Sequence, residues 1–359
     1  MSDTKSRPLL TVAIPAYNRA ALLPPLLESI RSQSMTDWEC LIIEDNCRER
    51  EGIREVIRAH EAPFGGRLRY LENEETRGYD GNFRRLVEEA RGRYVFIMGN
   101  DDLVTPGAFA AVAKTIRENP EVGFILRAYS FFHSDPTKVF QVNRYYANAC
   151  SFEPGEPAIV ACYRRIVSMS GLVFHRDDAA AVATDRWDGT LFYQHWIAAN
   201  ILVKRGAAYI PDILALFRKD GVPEFGAAKV ERGLYTPGVQ PPDTDLRMIR
   251  SLMSIAEAVE KERGVKILEV VRRDFANFMF PTIRHQAHES WPVFWKFYRD
   301  LGAMKFDRYL MFHFWFWSIA IVGADRVDWF IQFVRRTLGH TPNLTRAARP
   351  TTQRLTEQP

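Results

Sequence analysis

The stretch YVFIMGNDD, residues 94–102, is an apolar run that ends in two adjacent aspartates. The run Tyr94–Met98 predicts a buried strand. Two carboxylates at the end of such a strand are costly unless a cation or hydrogen-bond donors meet them. On these residues alone, two interpretations stay open: Asp101 and Asp102 cap the helix that begins near Pro106, or they hold a positively charged ligand.

Strand and helix signals alternate on both sides of this stretch. Apolar runs predict strands at Leu9–Ile14 and Trp38–Ile43 before it and at Val122–Leu126 after it, with helical periodicity between them. This alternation indicates an α/β fold in which helices flank a mostly parallel sheet. From Asp245 to near Leu338 the pattern is helical only, which predicts a C-terminal helical extension.

A Gly- and Pro-rich stretch at 221–242 separates these two parts of the chain. We therefore expect an α/β domain over residues 1–225 and a helical region over 226–340. The Thr-, Pro- and Arg-rich residues 341–359 predict a disordered tail.

The composition is that of an ordinary globular protein: of 359 residues, 47% are hydrophobic and 26% are charged. Lys and Arg number 48 against 44 Asp and Glu, and the net charge of +4 argues against a dedicated nucleic-acid binder. The four cysteines show no CxxC spacing, and the N-terminal MSDTKSRPLL lacks the apolar core of a signal peptide. We expect a reduced, cytoplasmic setting.

Three of the predicted strands end in polar residues: PAYNR at 15–19, EDN at 44–46 and NDD at 100–102. Ligands of open α/β sheets bind outside the carboxyl ends of the strands, where these residues converge. Carboxylates on such an edge suit Mg²⁺ or Mn²⁺, which take one or two protein carboxylates and otherwise bind phosphate oxygens and water. Asp45, on a neighbouring strand, is better placed to accept hydrogen bonds from a nucleoside.

The segments TVAIPAYNR (11–19), ECLIIEDN (39–46) and EARGRYVFIMGNDD (89–102) resemble, in this order, the nucleotide-binding half of family 2 glycosyltransferases with the GT-A fold. The resemblance implies a metal-dependent, inverting glycosyltransferase. Such an enzyme moves a hexosyl or deoxyhexosyl group from a nucleotide-sugar donor to a saccharide or lipid-linked acceptor. The combination with TPGAF and SGLVFHRD is similar to the abequosyltransferase-like branch of bacterial surface polysaccharide synthesis.

The resemblance also implies roles for individual residues. Asp45 would hydrogen-bond the nucleobase, and Arg77 would reach the base or the diphosphate. Asn100, Asp101 and Asp102 would form the DXD-type motif, in which Asp101 faces the ribose and Asp102 holds Mn²⁺ or Mg²⁺. The nucleobase and ribose pocket would be lined by Pro15, Tyr17 and Asn18.

The segment SGLVFHRDD (170–178) looks like the acceptor-side strand of these enzymes. In that case the small residues Ser170 and Gly171 would leave room for the donor sugar beside the metal. The alternative is that Gly171 serves a bulge or close packing.

An inverting member of this family needs a general base, which is commonly the Asp of a Glu-Asp pair at the start of a helix. Those positions fall on Gln194 and His195 here, so the carboxylate is missing. Histidine can do the same work because its unperturbed pKa is about 6.5. We take His195 as the first candidate and Asp188 as the second. Asp185, another residue that no motif marks, no base at all, and an interior, structural His195 stay open as alternatives.

The C-terminal part contains the aromatic stretch YLMFHFWFWSIAIVG at 309–323, followed by an amphipathic segment over 327–336. The aromatic stretch is shorter than the roughly 20 residues that a membrane span requires. One interpretation is an interfacial anchor on the inner face of the cell membrane, with nearby arginines on anionic headgroups. The others are packing on the catalytic domain or on a second copy in a homodimer, and a true span. The arginines are Arg335, Arg336, Arg346 and Arg349.

Two rival functions stay open. A nucleotidyltransferase would use similar aspartates, but it usually has a Gly-rich basic loop after the first strand, which IPAYNRAALLPPL (14–26) lacks. A non-catalytic sugar-nucleotide-binding or scaffold protein of a polysaccharide assembly complex is the second rival. The missing Glu-Asp pair motivates it.

Overall fold

The computed structural model describes residues 7–221, 224–342 and 344–345 of the chain. Within these ranges, ten strands form one sheet. They are β1 (Leu10–Ala16), β2 (Trp38–Glu44), β3 (Leu68–Glu72), β4 (Tyr94–Ile97), β5 (Leu103–Val104), β6 (Phe124–Phe132), β7 (Val139–Asn143), β8 (Cys150–Phe152), β9 (Val173–His175) and β10 (Ala207–Arg218). Their spatial order is β3-β2-β1-β4-β9-β6-β10-β5, with β7 paired to β6 and β8 paired to β10.

The sheet is mixed, and its parallel half carries the predicted motifs. Four adjacent strands run parallel to one another: β3, β2, β1 and β4. Strand β6 likewise runs parallel to β10. Strand β9 is antiparallel to both β4 and β6 and so joins the two parallel parts. The prediction of an α/β fold with a mostly parallel sheet, flanking helices and a helical C-terminal extension is confirmed.

Helices cover both faces of this sheet. In the described residues they are α1 (Leu23–Arg31), α2 (Arg50–Phe64), α3 (Gly78–Glu89), α4 (Ala108–Glu118), α5 (Glu156–Cys162), α6 (Arg176–Ala181), α7 (Tyr193–Arg205), α8 (Pro242–Arg263), α9 (Leu268–Asn277), α10 (Phe280–His285), α11 (Trp291–Ala303), α12 (Leu310–Val322) and α13 (Ala324–Leu338).

The pleat of the central strands divides the core in two. In β1, Val12 and Ile14 pack with α1, α2 and α4, whereas Ala13 faces the core that contains α3 and α7. Successive side chains of a strand point to opposite faces, so a sheet covered on both sides needs apolar residues throughout its inner strands. This is the physical reason for the uninterrupted apolar runs in the sequence.

Strand β1 extends to Ala16, past the end that Pro15 predicts. Pro15 has no N–H, but its backbone faces the β4 side, where pairing with β1 stops at Ala13. The backbone of Ala16 faces β2 and accepts a hydrogen bond from the N–H of Asp45. Proline is tolerated at this position because no neighbouring strand needs its donor.

The C-terminal helices share a core with the α/β part. Leu252 of α8 and Phe297 of α11 belong to the same contiguous apolar cluster as Ala13 of β1. The predicted boundary at residue 225 therefore marks a change of local structure, and the apolar core continues across it. No helix within the described ranges has the length and apolar character that crossing a bilayer requires.

The start of the predicted tail packs against the helical region. Thr341 and Thr345 are buried, and the Thr345 hydroxyl donates a 2.7 Å hydrogen bond to Asp274. Residues 343 and 346–359, which include Arg346 and Arg349, lie outside the described residues.

A buried polar network fixes the amino-terminal edge of the sheet. The Thr11 hydroxyl donates to Glu39 at 2.7 Å and accepts from the N–H of Gly92 at 2.7 Å, and the N–H of Arg91 also donates to Glu39. Gly92 approaches β1 closely: a Cβ on it would lie 2.4 Å from the backbone nitrogen of Thr11. No side chain fits there without moving β1.

We predict that Gly92→Ala lowers the free energy of unfolding by about 3 kcal/mol, because overpacking forces backbone shifts at a central strand. Gly302→Ala is the matched control: a Cβ at Gly302, within α11, meets its nearest atom at an ordinary 3.6 Å. The control should be neutral or stabilising by up to about 1 kcal/mol, as in other helices. Urea denaturation measures both. Equal stability of the two variants would contradict the close approach.

Candidate functional site

A cavity of about 400 Å³ lies at the carboxyl ends of β1, β2 and β4. The loop over residues 224–240, α3 and the start of α7 complete its walls. Its size is in the range of small-molecule sites. Of the residues that the sequence predicts to bind substrate, five line it: Pro15, Tyr17, Asp45, Asn100 and Asp101.

Asp45 is held rigidly at the cavity wall. Its Oδ1 accepts hydrogen bonds from Asn73 Nδ2 at 2.6 Å and from the N–H of Arg77 at 2.8 Å, and its Oδ2 accepts from the N–H of Gly78 at 2.8 Å. Burial raises the pKa of the Asp45 carboxyl to about 6, against the lowering effect of these donors. A carboxylate oxygen has two lone pairs, so Oδ2 can still accept one hydrogen bond from a ligand.

The turn after β1 brings Tyr17, Asn18 and Arg19 to the cavity. Asn18 and Arg19 both have left-handed backbone conformations, with φ of 53° and 58°. The side-chain amide of Asn100 stabilises this turn by donating to the carbonyls of Asn18 at 3.1 Å and Tyr17 at 3.3 Å. Asn18 is buried behind the lining, and its amide donates at 3.4 Å to Glu224. Asn100 thus ties the ends of β1 and β4 together.

The two aspartates of the motif have different partners. Asp101 faces the cavity and forms an ion pair with Arg19. Asp102 is buried, accepts a 2.5 Å hydrogen bond from the Ser170 hydroxyl, and accepts a 2.9 Å bond from the N–H of Arg218. Burial raises the pKa of the Asp102 carboxyl, and charge repulsion from Asp101 raises it further.

The fully buried Arg127 supplies a second positive charge near this pair. Its guanidinium donates to the carbonyls of Ser170 at 2.8 Å and Ser168 at 2.7 Å, and it interacts electrostatically with Asp102.

The interpretation that Asp101 and Asp102 cap the next helix is wrong. Helix α4 begins after Gly107, and the carboxylate of Asp102 is held by Ser170 and Arg218 instead.

The aspartate pair is the predicted cation site, and only Asp101 of the pair lines the cavity. Among the described residues, no group of three or more His, Cys, Asp or Glu side chains is placed to hold a metal. Mg²⁺ bound to a diphosphate needs only one or two protein carboxylates, and Asp101 offers one at the cavity wall. Gly99 separates Asp102 from the cavity, and a Cβ there would lie 3.1 Å from Asp102 Oδ2. A side chain at Gly99 would crowd that carboxylate.

Two other predicted substrate residues lie outside the cavity lining. The side chain of Arg77 is exposed beside Glu74 and Glu75, and only its backbone N–H contacts Asp45. Gly171 has φ of 82°, and a Cβ on it would lie 3.2 Å from both Arg127 and Ala215. Its packing against these residues matches the close-packing alternative.

The structure places His195 in the protein interior. Its ring is fully buried, with ring centroids 5.1 Å from Tyr163 and 5.3 Å from Phe192. Burial lowers the pKa of His195 to about 3. A general base must reach the acceptor hydroxyl, so this placement does not support His195 in that role. Its neighbour Gln194 lines the cavity instead and accepts a 3.1 Å hydrogen bond from the Tyr79 hydroxyl.

The other two candidates for the base lie in the loop before α7. Asp188 accepts a 2.7 Å hydrogen bond from Arg84 within an ion pair, and burial raises the pKa of its carboxyl. Asp185 is exposed in a short turn. Neither of them belongs to the lining of the cavity.

Two carboxylates that the sequence analysis does not select, Glu224 and Glu231, complete the cavity. Glu231 is buried and accepts hydrogen bonds from the N–H groups of Tyr79 and Gly226, both at 2.7 Å. It therefore connects α3 to the loop over the cavity. Burial raises its pKa. No sequence motif marks these two loop residues. Their hydrogen bonds to Asn18, Tyr79 and Gly226 are seen only in the structure.

Residues 11–173 match the family model described as Glycosyl transferase family 2. A Campylobacter jejuni protein named GalNAc(5)-diNAcBac-PP-undecaprenol beta-1,3-glucosyltransferase is 27% identical over 112 residues, which cover 31% of this chain and 35% of that one. The abequosyltransferase RfbV of Salmonella typhimurium is 30% identical over 114 residues, covering 32% and 34%.

The chain spans between 13% and 49% of the length of these and related curated proteins. The structure of S. aureus TarS 1–349 in complex with UDP-GlcNAc aligns with a TM-score of 0.59 and 13% identity, covering 92% of each chain. At this identity the likeness shows a shared GT-A fold.

We predict that Glu231→Gln loosens the loop over the cavity. The amide NH₂ cannot accept a hydrogen bond, so either Tyr79 or Gly226 loses its acceptor. Hydrogen exchange at these two amides should accelerate roughly tenfold, as expected for the loss of one buried hydrogen bond. Lys229→Gln, at an exposed position of the same loop, is the control. Unchanged exchange in Glu231→Gln would contradict the connecting role.

Proposed function

We propose that this protein transfers a sugar from a nucleotide-sugar donor to a saccharide or lipid-linked acceptor, because residues 11–173 match the family 2 glycosyltransferase model. The observation that carries the proposal is one cavity bounded by both Asp45, after β2, and Asp101, after β4, on either side of β1. A relative named for a PP-undecaprenol acceptor supports the lipid-linked alternative. The proposed process is the synthesis of bacterial surface polysaccharide. The proposed location is the cytoplasm, either free or as a peripheral protein on the inner face of the cell membrane.

Asp45 is the proposed recognition group for the nucleobase. Its Oδ2 accepts one hydrogen bond from Gly78 and keeps a lone pair for an N–H of the base. Tyr17 and Pro15 line the same wall and provide apolar contact area. In this proposal, the nucleobase binds to the rigid acceptor Asp45 after β2, and the phosphates bind on the side of Asp101, after β4.

The leaving nucleoside diphosphate gains negative charge as the bond to the sugar breaks. Arg19 at the cavity wall is the cation that the chain itself supplies to that charge. A bound Mg²⁺ or Mn²⁺ at Asp101 and Asp102 would add Lewis-acid stabilisation of the leaving group. Inversion of configuration is part of the proposal and requires a base on the acceptor side.

Glu224 is the proposed general base. Four carboxylates line the cavity, and three are firmly held: Asp45 by N–H donors, Asp101 by Arg19, and Glu231 by two backbone N–H groups. Glu224 is held more loosely. It accepts a 3.4 Å hydrogen bond from Asn18, lies 3.9 Å from Arg19, and its side chain is 31% exposed.

Gln194 lies at the start of α7, where the family commonly has a carboxylate, and its amide cannot act as a general base. A second candidate function, binding of the donor without catalysis, is therefore considered. A sugar-nucleotide-binding scaffold protein would bind the donor at Asp45 without turning it over. Release of nucleoside diphosphate from the donor, measured with and without added acceptor glycans, distinguishes the two functions.

We predict that Asp45→Asn weakens nucleoside diphosphate binding by roughly 10- to 100-fold, the usual effect of losing a charged hydrogen bond. The ionised carboxylate is the acceptor, so wild-type affinity should rise with pH up to about 6 and level off above it. Isothermal titration calorimetry from pH 5 to 8 measures both effects. Asp37→Asn, just before β2 at the opposite end of the same strand, is the control. An affinity that Asp45→Asn leaves unchanged would contradict this assignment.

We predict that Glu224→Gln lowers kcat for donor turnover by roughly 10²–10⁴, with little change in nucleotide affinity, because only proton transfer is lost. The limb of the pH–rate profile that reports the base should disappear in this variant. Asp188→Asn is measured in parallel because the sequence also selects Asp188. A large loss of kcat in Asp188→Asn and none in Glu224→Gln would assign the base to Asp188.

A further inference from the structure

Exposed apolar side chains concentrate on helices α12 and α13. On α12, Leu310, Phe314, Trp317 and Ile321 are exposed and recur at intervals of four, three and four residues, which places them on one face. The opposite face of α12 packs on α11, where the rings of Phe316 and Tyr298 lie 4.0 Å apart. Helix α13 adds its own exposed residues: Trp329, Phe330, Phe333 and Leu338. An apolar surface of this kind on a globular protein marks a place of contact.

An apolar groove of about 460 Å³ opens between α12 and α13. Met311, Trp315 and Ser318 of α12 and Phe330 and Val334 of α13 line it. Most of the residues that line the groove are apolar, and it lies beside the exposed aromatic face. These properties suit a hydrocarbon chain better than a polar ligand.

A larger cleft of about 870 Å³ adjoins the groove and has a different chemistry. The two share four lining residues, so they are neighbours: Phe280, Pro281, Ile331 and Arg335. Lys219, His288 and Arg284 add positive or titratable groups to the cleft. Arg284 lies 3.5 Å from Asp328 and 3.8 Å from Asp325, which leaves Lys219 and Arg335 as the cations best suited to an anionic group.

Two hydrogen bonds link residues next to the cleft with residues of the candidate donor site, although the cleft and the donor cavity share no lining residue. Lys219 follows Arg218, whose backbone N–H donates to Asp102. On the other side, His285 lines the cleft, and its neighbour Gln286 donates a 2.9 Å hydrogen bond to the carbonyl of Gln240, which lines the donor cavity. A ligand with its polar head in the cleft and its chain in the groove would therefore lie against segments that also contact the candidate donor site.

We propose that the cleft and the groove together bind a lipid that carries a phosphate head on a long hydrocarbon chain. The head contacts Lys219 and Arg335, the chain occupies the groove, and the exposed face of α12 and α13 lies in the interface of the bilayer from which the lipid enters. The identification of this lipid as the acceptor rests on the proposed function. The binding itself does not.

The test is calorimetric binding of farnesyl diphosphate to the full chain, with farnesol and inorganic diphosphate as probes of the chain and the head alone. Arg335→Gln should weaken binding roughly tenfold through the loss of one charged contact. Ser318→Trp should abolish binding by filling the groove. The matched controls are Arg336→Gln, the next residue of α13, and Ala320→Trp on α12, because neither position lines the cleft or the groove. Both controls should bind like the wild type.

Three outcomes would overturn the proposal. Farnesol that binds as tightly as farnesyl diphosphate would show that no head site exists. Competition by UDP, or loss of binding in Asp45→Asn, would place the diphosphate in the donor cavity. A dimer in light scattering that Ser318→Trp dissociates would show that a second copy fills the groove. Farnesyl diphosphate binding without any nucleotide binding would retain the lipid site and refute only the proposed function.

Discussion

The charge of two adjacent carboxylates at the end of a buried strand is the constraint on which the rest of this structure depends. Asp102 is buried, and its oxygens are met by the Ser170 hydroxyl and the backbone of Arg218, with Arg127 nearby. Asp101 faces the cavity and pairs with Arg19. These partners come from four distant parts of the chain. Strand β9 must therefore pair with β4, and the end of β10 with β5, before the site exists.

The strand ends could be predicted from sequence because apolar runs locate inner strands and the polar residues after them share one edge. Pro15, Asp45 and Asn100 lie on the cavity for this reason. The base could not be located by counting from Gly206, since adjacent helix residues point about 100° apart. That rotation presents Gln194 to the cavity and turns His195 into the core. Arg127 and Glu231 could not be predicted, because their hydrogen bonds join residues that are far apart in the sequence and no local sequence pattern indicates them.

The helical region is part of the site as well as of the core. Glu231 holds the loop at 224–240 to α3, and Gln240 at the end of that loop is held by Gln286. The same region also lines most of the cleft and of the apolar groove. Residues 11–173, which match the family model, thus supply the strand-end residues of the cavity, and later residues such as Glu231 and Gln240 complete its walls.

The most direct test of the central claim is thermal stabilisation of the wild type and Asp102→Asn by UDP, GDP, CDP and dTDP, each with and without Mn²⁺. The account predicts that one nucleotide raises the melting temperature of the wild type, that Mn²⁺ increases this shift, and that Asp102→Asn removes the Mn²⁺-dependent part while remaining folded. No shift with any nucleotide, or an equal Mn²⁺ effect in both proteins, would contradict a nucleotide–cation site at this aspartate pair.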